Sequence, residues 1–170
     1  MNELYIENWD LMFFKMANLI ARKSKDPSSM VGSVAVKDNI PLMSGFNGFC
    51  MGVKDLPERY ENRELKYKFI SHSESNVCLL AGRQGISLSG STLYTQTFQC
   101  ENCAKSIIQS GIKTVKTLRS CENIWADYNK NWIESKKVAG YMFQEAGVSI
   151  LEYDIKCGDE ILVGGKIYKI

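Results

Sequence analysis

The chain has 170 residues, 45% hydrophobic and 24% charged, a length that suits one domain and a composition that suits a packed core, which excludes a disordered or fibrous protein. The formal net charge is +2 and the basic residues are interleaved with acids, so no basic tract marks extended binding to DNA or RNA. No stretch approaches the roughly 18 consecutive apolar residues of a membrane span, and Met1 to Asp10 carries acids where a leader peptide needs a basic start; the expected location is the cytoplasm, with no nucleic-acid or membrane partner.

From Leu4 to Lys23 the apolar residues Trp9, Met12, Phe13, Met16, Leu19 and Ile20 recur at spacings of three and four, which predicts a core-facing helix. It ends at Ser24-Lys25-Asp26-Pro27, since proline cannot continue a helix. Met30 to Val36 and Pro41 to Phe46 read as two strands of one hairpin, with Lys37-Asp38-Asn39 as turn chemistry. Gly45-Phe46-Asn47-Gly48-Phe49 then reads either as a tight turn or as a loop that brings backbone and the Asn47 amide close to a small polar ligand. The polar stretch from Asp55 to Lys68 is expected to be a surface segment with a short helix and a solvated charged face.

His72 to Arg83 is predicted as a helix closed by Gly82 and Gly85, and Thr92 to Phe98 as a strand. Cys100 to Ser110 reads as a helix ended by Gly111, and Thr114 to Leu118 as a strand. Ser120 to Tyr128 reads as a loop holding Trp125. Trp132 to Ala146 is an amphipathic helix stopped by Gly147, followed by a strand from Val148 to Tyr153. Alternating strands and helices imply a layered α/β domain over residues 1–153. The tail, 154–170, is expected to form a β-hairpin turning at Gly164-Gly165, as an addition to the sheet or as an oligomer contact.

Two stretches carry the chemistry. His72 is the chain's one histidine, and Glu74 follows two positions on; Cys100 and Cys103 form a Cys-x-x-Cys pair. One imidazole and two thiolates are one donor fewer than a closed structural zinc site uses, so a zinc ion here keeps a position for water and lowers that water's pKa to roughly 7. Glu74 is placed to take the water's proton and pass it on. Alone, the Cys pair also reads as half of a structural zinc site or as a redox couple. The other four cysteines, Cys50, Cys78, Cys121 and Cys157, are scattered, which suits free thiols better than a disulfide framework. His-x-Glu followed by Pro-Cys-x-x-Cys is the signature of zinc-dependent nucleobase deaminases; here Gln99 stands at the proline position.

With these residues in place, the chain resembles the deoxycytidylate (dCMP) deaminase family of the cytidine-deaminase-like superfamily. The resemblance is carried by Ser24-Lys25-Asp26-Pro27-Ser28-Ser29-Met30-Val31-Gly32, Gly45 to Phe49, His72-Ser73-Glu74-Ser75-Asn76 and Cys100 to Lys113, within a similarity from about Trp9 to Glu152. It implies a three-layer fold with a central mixed five-stranded sheet flanked by helices and a C-terminal β-hairpin extension. It implies Zn2+ held by His72, Cys100 and Cys103, with Glu74 as proton shuttle. Asn47 is expected on the sugar, the Ser73 backbone N–H on the base carbonyl, and Phe98 and Trp125 or Tyr128 among the substrate contacts. Some members are hexamers regulated by dCTP and dTTP, which implies a homo-oligomer, hexamer or dimer, and regulatory residues at Lys25, Asp26, Gly45, Phe46 and Gly48. The chain departs from the family at Ser73, usually alanine, at Gln99, and at Arg119 to Glu122, where a substrate-binding tyrosine is usual. The implied activity is hydrolysis of dCMP to dUMP. The rivals are another or a ring-modified cytosine nucleotide, and a non-catalytic zinc or nucleotide-binding module.

Overall fold

The first helix, α1 (Trp9–Ala21), starts where the Asn8 side chain accepts the backbone N–H groups of Asp10 and Leu11, at 2.8 and 3.2 Å, two of the donors a helix start leaves without intrahelical partners. This is a computed structural model, and it describes residues 6–128 and 132–170. The buried face of α1, with Phe13, Phe14, Ala17 and Ala21, lies against β1 (Gly32–Lys37). The approach is close: a Cβ on Gly32 would come within 2.1 Å of the Ala17 carbonyl oxygen, so glycine permits this packing.

β1 pairs antiparallel with β2 (Ile40–Phe46) through a tight turn in which Asp38 and Asn39 both have positive φ, the geometry of a twisted two-residue hairpin. On its other side β1 pairs antiparallel with β5 (Thr92–Thr95). β5 is followed in parallel by β6 (Thr114–Leu118) and β7 (Ser149–Tyr153). The five-stranded mixed sheet runs β2-β1-β5-β6-β7. Two further short strands, β3 (Gly48–Phe49) and β4 (Ile70–Ser71), pair separately, with α2 (Pro57–Glu61) and α3 (Arg63–Phe69) between them.

The two faces of the sheet carry different cores, because successive strand residues point to opposite sides. Ala35, Leu93 and Val115 face α4 (Ser73–Arg83), α5 (Glu101–Gln109) and α7 (Ile133–Glu145). Val34, Val36 and Tyr94 face α1 and α6 (Arg119–Tyr128). The result is a three-layer α/β domain. The segment Ser120 to Tyr128, read above as a loop, is the body of α6. Cys121, Ile124 and Trp125 supply an apolar stripe that packs into the α1-side core, and that burial outweighs the polar residues between them.

The tail forms a two-stranded hairpin, β8 (Glu160–Val163) and β9 (Lys166–Lys169), turning at Gly164-Gly165. Its ladder is its own and does not extend the five-stranded sheet. Ile161, Val163 and Ile170 bury into the α1-side core. The hairpin also braces the segment after α1: Leu162 O accepts from Met30 N–H (3.0 Å) and Ser28 O from Gly165 N–H (2.7 Å).

Candidate active site

Two neighbouring helix starts build the site. His72 is the N-cap of α4 and Cys100 the N-cap of α5, with Cys103 in the first turn of α5. The first turn of α4 is held by Gly45: a Cβ there would lie 2.8 Å from Ser73 O and 3.0 Å from Val77 N. The Phe46 carbonyl also accepts from Asn76 Nδ2 at 2.8 Å. α5 follows β5, the central strand of the sheet, after a short connection, so the cysteine pair emerges beyond the C-terminal end of that strand beside His72.

The Cys100 and Cys103 sulfurs lie 3.5 and 3.4 Å from His72 Nδ1, and the three donor atoms fall within 4.8 Å of one another. Zinc bonds of about 2.3 Å to sulfur and about 2.0–2.1 Å to nitrogen, in a tetrahedron, place such atoms about 3.6 Å apart. The donor set therefore fits zinc in spacing as well as in softness. Hydrogen bonding with Cys103, and then with His72, draws the Cys100 thiol down to about 4, while the same contact and burial push Cys103 well up. Metal binding there requires both thiols to give up their protons. Burial opposes charge on His72, but the Cys100 contact and the Glu74 carboxylate outweigh it and raise its pKa.

Glu74 is buried beside this cluster, and desolvation is the main cause of its raised pKa. A carboxyl that takes and releases a proton readily suits acid–base work. Its Oε2 receives the Ser73 hydroxyl at 3.1 Å and lies 3.7 Å from Cys103 Sγ.

His72, Ser73, Glu74 and Cys100 open onto a cavity of about 290 Å³, near the lower end of the range for small-ligand pockets. Asn47 and Trp125 also line it. Asn47 clamps its own wall, since Oδ1 accepts from Val31 N–H (2.8 Å) and Nδ2 donates to Ser29 O (2.9 Å). Phe98 does not line the cavity: its ring meets Phe143 edge-on in the core, 6.0 Å between centroids, and only its backbone N–H, donated to Glu122, turns toward α6. The side chain of Tyr128 lies outside the described residues.

The five residues tied to regulation by resemblance have separate surroundings. Asp26 lines the cavity and is buried against Lys66 Nζ, 3.0 Å away. Lys25 pairs outside with Asp55 at 2.7 Å. Gly45 and Phe46 hold α4, and a Cβ at Gly48 would meet the Phe46 ring at 3.6 Å, ordinary contact.

Among the cavity residues that sequence reasoning missed, four bear on the chemistry. Lys66, assigned to a solvated face, is 5% exposed and lines the wall. Trp132 stacks on His72, 5.2 Å between centroids with 21° between planes. Glu122 and Lys136 pair at 2.7 Å across α6 and α7. An aromatic opening a helix next to a chemistry-bearing cleft was a signal for Trp132; the others depend on tertiary contacts with no local signature.

A three-layer α/β domain with one imidazole, two thiols and a buried carboxyl at adjoining helix starts defines a zinc-dependent enzyme of the deaminase type. Residues 7–119 match the family model described as the cytidine and deoxycytidylate deaminase zinc-binding region, and the chain belongs to that family. An uncharacterised deaminase from the luxG 3′ region of Aliivibrio fischeri is 40% identical over 145 residues, covering 85% of this chain and 93% of the relative. The human deoxycytidylate deaminase is 32% identical over 164 residues, covering 93% and 86%. The crystal structure of dCMP deaminase from the cyanophage S-TIM5, in complex with dCMP and dUMP, superposes with a TM-score of 0.64 at 23% identity, covering 88% of this chain and 99% of that one. No described helix is long and apolar enough to cross a membrane.

Proposed function

We propose that this chain hydrolyses dCMP to dUMP and ammonia. The observation that carries the reading is the convergence of His72, Cys100, Cys103 and the buried Glu74 on one small cavity. Its support from relatives is the human deoxycytidylate deaminase, matched along most of both chains.

His72, Cys100 and Cys103 would hold the zinc. When bound, the ion supplies Lewis acidity that makes water a nucleophile near neutral pH. Glu74 takes the proton of the attacking water and delivers it to the ring nitrogen as the C–O bond forms at the amino-bearing carbon; it then carries the remaining hydroxyl proton to the amino group, and the C–N bond breaks as the ring carbonyl forms and ammonia leaves. The helix start at Ser73 presents backbone N–H toward the base carbonyl, and Trp132 and Trp125 flank the ring. Asn47 addresses the sugar. Lys66 and Lys136, each held by one carboxylate, retain N–H donors for the phosphate. A non-catalytic zinc module has no use for a buried carboxyl beside its histidine, which disfavours that rival. Regulation by dCTP and dTTP in a homo-oligomer belongs to the proposal, supported by the resemblance of the Lys25 and Gly45–Gly48 segments.

The test is ammonia and uracil-nucleotide release from dCMP, deoxycytidine, dCTP and a ring-substituted dCMP by the same zinc-loaded sample, with dCTP added in a parallel set. Turnover of dCMP above the others is expected. Preference for the ring-substituted nucleotide moves the assignment to a modified base, and no ammonia from any of them overturns it.

A further inference from the structure

Ser73 stands between the ligand His72 and the carboxyl of Glu74, and its hydroxyl is engaged. Ser73 Oγ lies 2.7 Å from Ser33 Oγ and 3.1 Å from Glu74 Oε2, and Ser33 Oγ lies 3.0 Å from Thr95 Oγ1. All three hydroxyl residues are fully buried, so each must find partners among the others. They come from β1, β5 and α4, elements no local sequence pattern joins.

Each hydroxyl has one hydrogen to give. Ser73 Oγ donates to Glu74 Oε2 and Ser33 Oγ to Thr95 Oγ1, so the 2.7 Å contact between the two serine oxygens shares one of these hydrogens. The row runs from the Glu74 carboxyl, a strong acceptor, through Ser73 and Ser33 to Thr95. Its anchors are rigid, since Ser33 and Thr95 are paired residues of β1 and β5.

Oε2 accepts from Ser73, with Cys103 Sγ on the same side at 3.7 Å. The geometry points to Ser73 as a positioning residue that fixes the orientation of the Glu74 carboxyl through Oε2, with Ser33 and Thr95 as its backing. This rests on the proposed deaminase reading. Without the Ser73 hydroxyl the Glu74 carboxyl can rotate and spends less time facing the substrate, so turnover falls while substrate binding does not.

The test pairs kinetics with structure for Ser73→Ala, Ser33→Ala and Thr95→Val. Expected are wild-type zinc content and KM, with kcat down about tenfold in Ser73→Ala and by progressively smaller factors in Ser33→Ala and Thr95→Val. A high-resolution crystal structure of Ser73→Ala is expected to show the Glu74 carboxyl in more than one orientation, against one in the wild type. That structural arm stands whether or not the wild type deaminates dCMP: a carboxyl equally ordered in both crystals overturns the inference. So does a kcat within twofold of wild type, or a rise in KM alone, which would make Ser73 a substrate contact. Loss of ammonia release by the wild type, with the two crystal structures differing as expected, would instead refute the deaminase reading alone.

Discussion

Replacing Asp26 by asparagine isolates one charge in the cavity wall. The Asp26–Lys66 pair is 3.0 Å apart, with side chains 4% and 6% exposed, so neither ion is solvated if the other is lost. Asparagine keeps the Oδ1 acceptor that Asp26 offers to Ser28 N–H at 2.8 Å, so the local turn survives and the ammonium of Lys66 is left uncompensated. Breaking a buried pair from one side costs about 3–5 kcal/mol, and at this chain length about 2–4 °C of Tm accompanies each kcal/mol. The expected loss is therefore about 6–20 °C. Adding Lys66→Met removes the orphaned charge, and a well-packed apolar replacement is often close to neutral, so the double variant should recover most of the loss. Urea and thermal unfolding followed by tryptophan fluorescence measure both. A single variant within about 1 kcal/mol of wild type, or a double variant at the sum of the two single losses, would refute the argument that burial makes this pair interdependent.

Gly32→Ala sets a Cβ against the backbone of α1 at Ala17 and Ala21, and since backbone cannot yield as a side-chain tip does, a destabilisation of at least about 2–3 kcal/mol is expected in denaturant titration. A tolerated alanine would show that α1 can lift from β1. The Asp10–Lys116 pair gives an acid limb to stability: burial raises the Asp10 pKa, but hydrogen bonds from Lys116 and Tyr94 outweigh it and the net value lies below the ordinary 3.8. With the folded value below the unfolded one, the contribution is complete above about pH 4 and fades as pH falls below it. Asp10→Asn should therefore lower Tm at neutral pH and converge on wild type in acid, read by thermal scans from pH 7 to 3; a gap constant across that range contradicts the sign.

Much of this organisation was legible in the sequence because it rests on local rules. The existence of α1, the alternating strands, the turn at Asp38-Asn39 and the ordered His, Glu and Cys residues follow from period, turn chemistry and ligand valence. The face of α1 was misread: of the stripe Trp9, Met12, Phe13, Met16, Leu19 and Ile20, Trp9, Met12 and Leu19 are exposed, and it is Phe13, Phe14, Ala17 and Ala21 that bury, because the close approach to Gly32 favours the small alanines. α6 was misread because it starts straight from β6 without a capping residue and its stripe of Cys121, Ile124 and Trp125 is diluted by charge. Lys66 was assigned to solvent because its neighbours in sequence are charged; its partner Asp26 lies 40 residues away. Phe98, expected among the substrate contacts from the resemblance, lies beyond β5, which ends at Thr95, and its ring packs edge-on against Phe143. The Ser33, Ser73 and Thr95 row is invisible to any window reading, since three elements contribute one hydroxyl each.

On the proposed reading Glu74 moves the proton while His72, Cys100 and Cys103 hold the metal. Zinc content and dUMP formation measured together on wild type and Glu74→Gln separate the two tasks most directly. About one zinc per chain is expected in both proteins, with product formation reduced at least about a hundredfold in the variant. The same zinc with near-wild-type turnover in the variant would remove Glu74 from the proton transfer.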